Sequence, residues 1–170
     1  MVIISDSREK AGFEYDFSSY GVETIVRKLG CGDYSYQLGE DIITLDRKRN
    51  SGELCSNLYK EYKRFSAEMA RMELIEHSFI LCEFSLQTLL EFPINSGIPP
   101  RYHKRVRGSG LGMLKKLETF RERHGVRTLF CENRFEAQQL CYDILRSIYD
   151  GTPLDFVDNY ALGENYDGTL

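Results

Sequence analysis

Short apolar runs of strand length alternate along the chain with segments of helical period, and this alternation limits the fold more than any other feature. Val2–Ile4, residues 22–29, 34–38, 42–47, Ser78–Cys82 and 126–131 read as strands, and 34–38 with 42–47 as a hairpin turning at Gly39-Glu40-Asp41. Residues 52–75 lack proline and place Leu54, Leu58, Tyr62, Phe65, Met69 and Met72 at spacings of three or four, the core-facing stripe of an amphipathic helix with Ser51 as its N-cap. Shorter helices are expected at 85–91 and 111–124, and a last one from Asn133 to about Tyr149. Residues 93–112, with three prolines and four glycines, read as a loop. The order strand, strand, hairpin, helix, strand, helix, strand, helix specifies an α/β domain, a mixed central β-sheet flanked by helices. It occupies residues 1–149, with an acidic tail at 150–170.

Composition narrows the function class. No apolar run reaches the ~20 residues that cross a bilayer, and the N-terminus lacks the pattern of a secretory signal. Five cysteines, an odd number with no C-x-x-C pair, read as small buried thiols in a reducing, intracellular setting, cytoplasmic or, in a eukaryote, nuclear. Three scattered histidines suggest neither a zinc site nor a Cys/His nucleophile pair. The net charge is −4, but residues 150–170 hold five acids and no Lys or Arg, so the body is near neutral. Within it, Arg101-Tyr-His-Lys-Arg-Val-Arg107 and Lys115-Lys116 form a basic patch.

The chemistry-bearing segment is Gly32-Asp33-Tyr34 followed by Asp46-Arg47-Lys48. A hairpin brings its open ends together, so Asp33 and Asp46 can approach each other. Asp46 and Lys48, two apart on a strand, project from one face. Two carboxylates and an ammonium around one point suit hydrolysis of a phosphodiester with Mg²⁺ or Mn²⁺, hard ions that take oxygen ligands. The spacing is that of the PD-(D/E)xK nucleases. Taken alone, it is equally that of a solvated hairpin with an ion pair.

Further residues extend the pattern. Asp6-Ser-Arg8-Glu9 follows the first strand, and Glu53-Leu54 opens the long helix that carries Arg64-Phe65. Together these motifs resemble the nuclease domain of the XPF/Hef/Mus family of structure-specific endonucleases, in motif detail over residues 1–75 and in element order to about residue 149. The resemblance implies a restriction-endonuclease-like core that cuts branched, flap or fork DNA in repair, recombination or replication. It implies metal ligation by Asp33 and Asp46 with Asp6 completing the acidic cluster, Lys48 as catalytic lysine, and Arg8 and Arg47 supporting phosphate or carboxylates. Glu9 and Glu53 are secondary candidates. Two departures stand out. Asp46 occupies the family's usual Glu position, and Glu53 follows the motif after four residues where the family has Asp after three. Neither removes a charge, so a working site is expected.

Residues after 150 offer no room for the tandem helix-hairpin-helix module that family members carry. DNA grip is therefore expected from the 99–116 segment, a second copy or a separate partner. Arg101, Lys104, Arg105, Arg107, Lys115 and Lys116 are the natural phosphate contacts, and Tyr102 is a candidate for stacking on an unpaired base. The family dimerises through its last strand and helices. Leu129, Phe130, Leu140, Ile144, Leu145 and Ile148 fit either such a face or the core. The acidic tail is expected to hang free. Two competing readings are a catalytically inactive DNA-binding or scaffolding subunit of the same fold, and a small protein-interaction domain with a coincidental motif.

Overall fold

The computed structural model describes residues 1–8 and 12–161. A six-stranded sheet runs in the order β2-β1-β3-β4-β5-β6, built from β1 (Val2–Asp6), β2 (Glu23–Arg27), β3 (Tyr34–Tyr36), β4 (Ile43–Lys48), β5 (His77–Cys82) and β6 (Arg127–Phe130). The pairs β1–β2, β4–β5 and β5–β6 are parallel, whereas β3 is antiparallel to both β1 and β4. The sheet is therefore mixed, as the element order requires. Among the described residues no helix is long and apolar enough to cross a membrane.

Alternation along the central strands divides the core in two. On β5, Ile80 and Cys82 face one layer while Phe79 and Leu81 face the other. The first layer packs under α1 (Ser51–Cys55), a π-helical segment (Ser56–Lys60), α2 (Tyr62–Met72), α3 (Leu86–Leu90) and α4 (Gly110–His124). The second lies under α5 (Arg134–Asp150), joined by Tyr15 and Phe17. All five cysteines are buried and free. Burial drives the Cys82 and Cys141 thiols well above their ordinary range and Cys131 up to about 12, which leaves these three protonated and unreactive.

The structure adjusts several expectations. Asn50, not Ser51, caps α1: its extended backbone lets the side chain accept from the Glu53 amide at 2.9 Å. The long helix is not continuous. Its π segment ends at Glu61 (φ −108°, ψ 24°), and the wider turn rotates Tyr62 off the core stripe, leaving it 38% exposed while Leu58, Phe65, Met69 and Met72 stay buried. β3 stops at Tyr36 because a turn closes there, with the Gly39 amide donating to the Tyr36 carbonyl. The 93–112 loop contains a 3₁₀ turn, Pro100–Arg105, and α4 begins at Gly110 behind the Ser109 cap.

The tail is the largest departure. Residues through 161 belong to the folded body: Val157 is fully buried, the Phe130 amide donates to the Tyr160 carbonyl at 2.9 Å, and Ala161 bridges Leu129. This segment covers the outer edge of β6, whose unpaired amides need partners. Glu164 and Asp167 of the expected tail lie outside the described residues. Leu129, Leu140, Ile144 and Leu145, considered for a dimer face, are buried within this single chain.

Candidate active site

The register of three strands assembles the site. β1 and β3 pair Ser5 with Tyr34, and beyond this pair the Asp6 amide donates to the Asp33 carbonyl at 2.8 Å. On the other side of β3, the Asp33 amide donates to the Leu45 carbonyl at 2.7 Å, and Asp33 Oδ2 accepts the Arg47 amide at 2.7 Å. Asp33 is thus clamped at the start of β3, next to the stretch of β4 that carries Asp46 and Lys48.

Gly32 makes the clamp possible. Its φ of +66° is costly for any residue with a side chain, and a Cβ there would stand 2.1 Å from Thr44 Oγ1 and 3.0 Å from the Leu45 carbonyl oxygen. Its amide donates to Glu68 Oε1 at 2.9 Å. The Gly-Asp dipeptide is therefore a geometric requirement of this turn.

Asp46 and Lys48 share the face of β4 turned toward α1 and α2. Lys48 Nζ lies 2.6 Å from Asp46 Oδ2 and 5.3 Å from the Phe65 ring centroid, and both charged side chains are almost fully buried. Burial pushes the Asp46 carboxyl above its ordinary range, against the pull of the Lys48 charge. Burial opposes the Lys48 charge, yet the carboxylates of Asp46 and Asp33 hold its ammonium above its usual range, so it is a cation.

A cleft of about 200 Å³ opens over these groups, lined by Asp33, Asp46 and Lys48 together with Arg8, Glu53, Asn57, Arg64 and Glu68. Glu53 also accepts from the amide and Nε of Arg49, each at 3.1 Å. Glu68 was not singled out from the sequence, but its signal was present: Glu53, Asn57, Arg64 and Glu68, at spacings of four, seven and four, form a polar stripe beside the apolar one.

Two expected site residues play different parts. The carboxylate of Asp6 faces away from the cleft and is saturated by donors. Oδ1 accepts from the Arg8 amide and Arg8 Nε, both at 2.7 Å, and Oδ2 accepts from Arg8 Nη2 at 2.9 Å and the Leu29 amide at 2.6 Å. Although burial acts the other way, these bonds hold its carboxyl below the usual carboxylate range. Asp6 thereby steers the half-exposed Arg8 toward the cleft and pins the chain at Leu29. Arg47, between Asp46 and Lys48, necessarily points to the opposite face of the sheet. Only its backbone reaches Asp33; its guanidinium is bonded to Glu83 at 2.7 Å and lies 4.9 Å from the Tyr15 ring centroid. Glu9 lies outside the described residues.

The basic patch divides as well. Arg101, Lys104, Arg105, Arg107 and Lys115 are exposed. The loop that carries the first four is laid along the helix bordering the cleft: the Ser96 carbonyl accepts from the Gly52 amide at 3.0 Å, and Cys55 Sγ lies 3.6 Å from the Arg107 carbonyl oxygen. Tyr102 is covered on one side by Arg101, 4.9 Å from its ring centroid. Lys116 instead lies against two aromatic rings, 5.1 Å from the Tyr59 centroid and 4.8 Å from that of Tyr62.

A mixed sheet flanked by helices, with Asp33, Asp46 and Lys48 lining one cleft, is the architecture of a restriction-endonuclease-like domain. Residues 5–144 match the ERCC4 domain, and the chain belongs to that family of DNA endonuclease domains. Among solved structures, XPF from Aeropyrum pernix is similar with a TM-score of 0.63 and 22% identity, over 88% of this chain and 67% of that one. The same protein in complex with DNA gives 0.61 and 21%, over 88% and 65%. The likeness is one of fold, and this chain spans about two thirds of the length of those chains. No curated protein sequence matches it significantly.

Proposed function

We propose that the protein is a metal-dependent endonuclease that hydrolyses phosphodiester bonds of branched, flap or fork DNA in repair, recombination or replication. The observation that carries this reading is the buried Asp46–Lys48 pair opening into one cleft with Asp33, within a domain of the ERCC4 family. The similar Aeropyrum pernix XPF, solved with DNA, supports nucleic acid as the partner.

The donor set fits Mg²⁺ or Mn²⁺. Among the described residues no three acidic, histidine or cysteine side chains close around a point. Magnesium, however, is commonly held by one or two carboxylates and completes its shell with water and substrate phosphate. Asp33 and Asp46 provide those carboxylates, with Glu68 and Glu53 on the same wall. Asp46 Oδ2 is paired with Lys48 Nζ at 2.6 Å, so a cation bound there would share this carboxylate with the ammonium. Such an ion neutralises charge on the scissile phosphate and makes an attacking water more acidic.

The chain's own residues supply the remainder. Lys48, held as a cation, stabilises the charge that develops on phosphate oxygens. Arg8, fixed in direction by Asp6, presents its guanidinium to the same phosphate group. The exposed Arg101, Lys104, Arg105, Arg107 and Lys115 hold the flanking backbone, aided by a second copy or a separate DNA-binding partner.

The test is incubation of the purified protein with labelled flap, fork and duplex DNA, with Mn²⁺ or Mg²⁺ and with EDTA. Metal-dependent cutting of one strand near a junction is expected, and Asp33→Asn lowers it at least about a hundredfold while DNA binding persists. No cutting by the wild-type protein with either metal refutes the reading, and binding that survives such a result assigns the chain a scaffolding role.

A further inference from the structure

We propose that Tyr59 and Tyr62, with Lys116 against both rings, form a stacking platform for an unpaired base of single-stranded DNA beside the cleft. This rests on the nucleic-acid reading of that cleft and adds the feature that tells a single strand from a duplex.

Four observations combine. First, the platform exists because the helix is irregular. The π segment turns Tyr62 out of the core stripe, so that Tyr59 and Tyr62 emerge together, 37% and 38% exposed. π segments inside helices occur frequently at functional sites. Second, the platform is rigid. The Tyr59 ring occupies the space that side chains at residues 108 and 112 would need: a Cβ on Gly108 would lie 2.9 Å from Cε2, and one on Gly112 2.7 Å from the hydroxyl oxygen. The Tyr62 ring is stacked with Phe120 at a centroid distance of 6.1 Å. Rings held this firmly lose little freedom when a base stacks on them.

Third, the charge suits a phosphate chain. A shallow groove of about 660 Å³ runs along Tyr59–Arg64, and it carries Lys60, Lys63 and Arg64 with a single acid, Glu61, whose carboxylate is bonded by Arg64 Nε at 2.9 Å. Alternating aromatic faces and cations are how proteins hold single strands without reading sequence. Fourth, the groove adjoins the cleft that holds Asp33 and Lys48, and Arg64 lines both. A strand lying along α2 thus passes from the rings to Asp33 and Lys48. Duplex DNA keeps its base faces stacked and cannot use the rings.

The test measures binding in EDTA, so that cutting plays no part, by anisotropy of a fluorescein-labelled oligothymidine and of a duplex of equal length. For the double variant Tyr59→Leu/Tyr62→Leu, oligothymidine binding is expected to weaken at least about tenfold, with duplex binding within about twofold. The double variant Tyr59→Phe/Tyr62→Phe, which keeps the rings, is expected to bind like the wild type. Independently of any substitution, photocrosslinking of a bromodeoxyuridine-containing single strand to the wild-type protein is expected to label Tyr59 or Tyr62. Unchanged oligothymidine binding by the leucine variant, equal losses for both DNAs, or crosslinks confined to other residues overturn the proposal. If metal-dependent cutting is absent while the ring dependence persists, the nuclease reading fails and the platform stands.

Discussion

Lys48 Nζ lies 2.6 Å from Asp46 Oδ2 within a side-chain layer closed to all but the cleft. A buried ion pair of this kind is seldom a net source of stability, because desolvating both charges costs about as much as their attraction returns. Its presence at the floor of the cleft, against Phe65, is better explained by chemistry. Removing the ammonium leaves a buried carboxylate uncompensated. Lys48→Met is therefore expected to abolish cutting and to lower stability by about 3 kcal/mol at neutral pH in EDTA. Saturating Mn²⁺ restores part of that loss, because the metal ion replaces the missing positive charge. Urea denaturation with and without Mn²⁺ measures both effects, and a stability indifferent to metal in this variant removes Asp46 from the ligand set.

Gly32 holds the carboxylate opposite. Gly32→Ala introduces a Cβ into Thr44 at a backbone angle that disfavours side chains, so a loss of at least about 2 kcal/mol is expected, with cutting impaired under conditions where the variant is folded. Gly30→Ala, where a Cβ meets no atom within 4 Å, serves as the control and is expected to change stability by less than about 0.5 kcal/mol. Thermal melts and flap cleavage compare the pair.

Asp6 contributes in a pH-dependent manner. Its carboxyl is held below the ordinary value of 3.8 by bonds from Arg8 and the Leu29 amide that outweigh its burial. A group whose pKa falls on folding stabilises the fold fully above its unfolded value and loses that contribution as pH drops through the folded one. Asp6→Asn is expected to cost about 2 kcal/mol at pH near 7, and the gap to wild type is expected to close as pH falls below the carboxylate range. Urea midpoints across the acid range test this; a gap independent of pH contradicts the assignment.

The segment 152–161 completes the second core and covers β6. Ending the chain at Gly151 removes buried Val157 and exposes the Phe130 amide and the strand edge. A loss of about 2 kcal/mol or more is expected, with self-association through the bared edge. Light scattering and melting curves compare this truncation with the full chain.

Much of the site was legible before folding, because strand geometry is local. Alternation alone puts Asp46 and Lys48 on one face, and the same rule puts Arg47 on the other. The family resemblance had drawn Arg47 into the site, and the strand period returns it to the Glu83 side. The proximity of Asp33 to β4 followed from the hairpin. Asp6 could not be placed in this way, since the four donors on its carboxylate come from Arg8 and from Leu29, far along the chain.

The sequence by itself determined the order of strands and helices and the Gly-Asp and Asp-x-Lys steps, since each depends on residues a few positions apart. The tertiary structure alone decided which carboxylates face the cleft, that Glu68 joins them, that a π turn frees Tyr62 from the core, and that residues 152–161 seal β6. These outcomes depend on which groups from remote segments meet to satisfy a buried charge, a backbone amide or an exposed edge. Only the packing of the helices against the sheet brings those partners together.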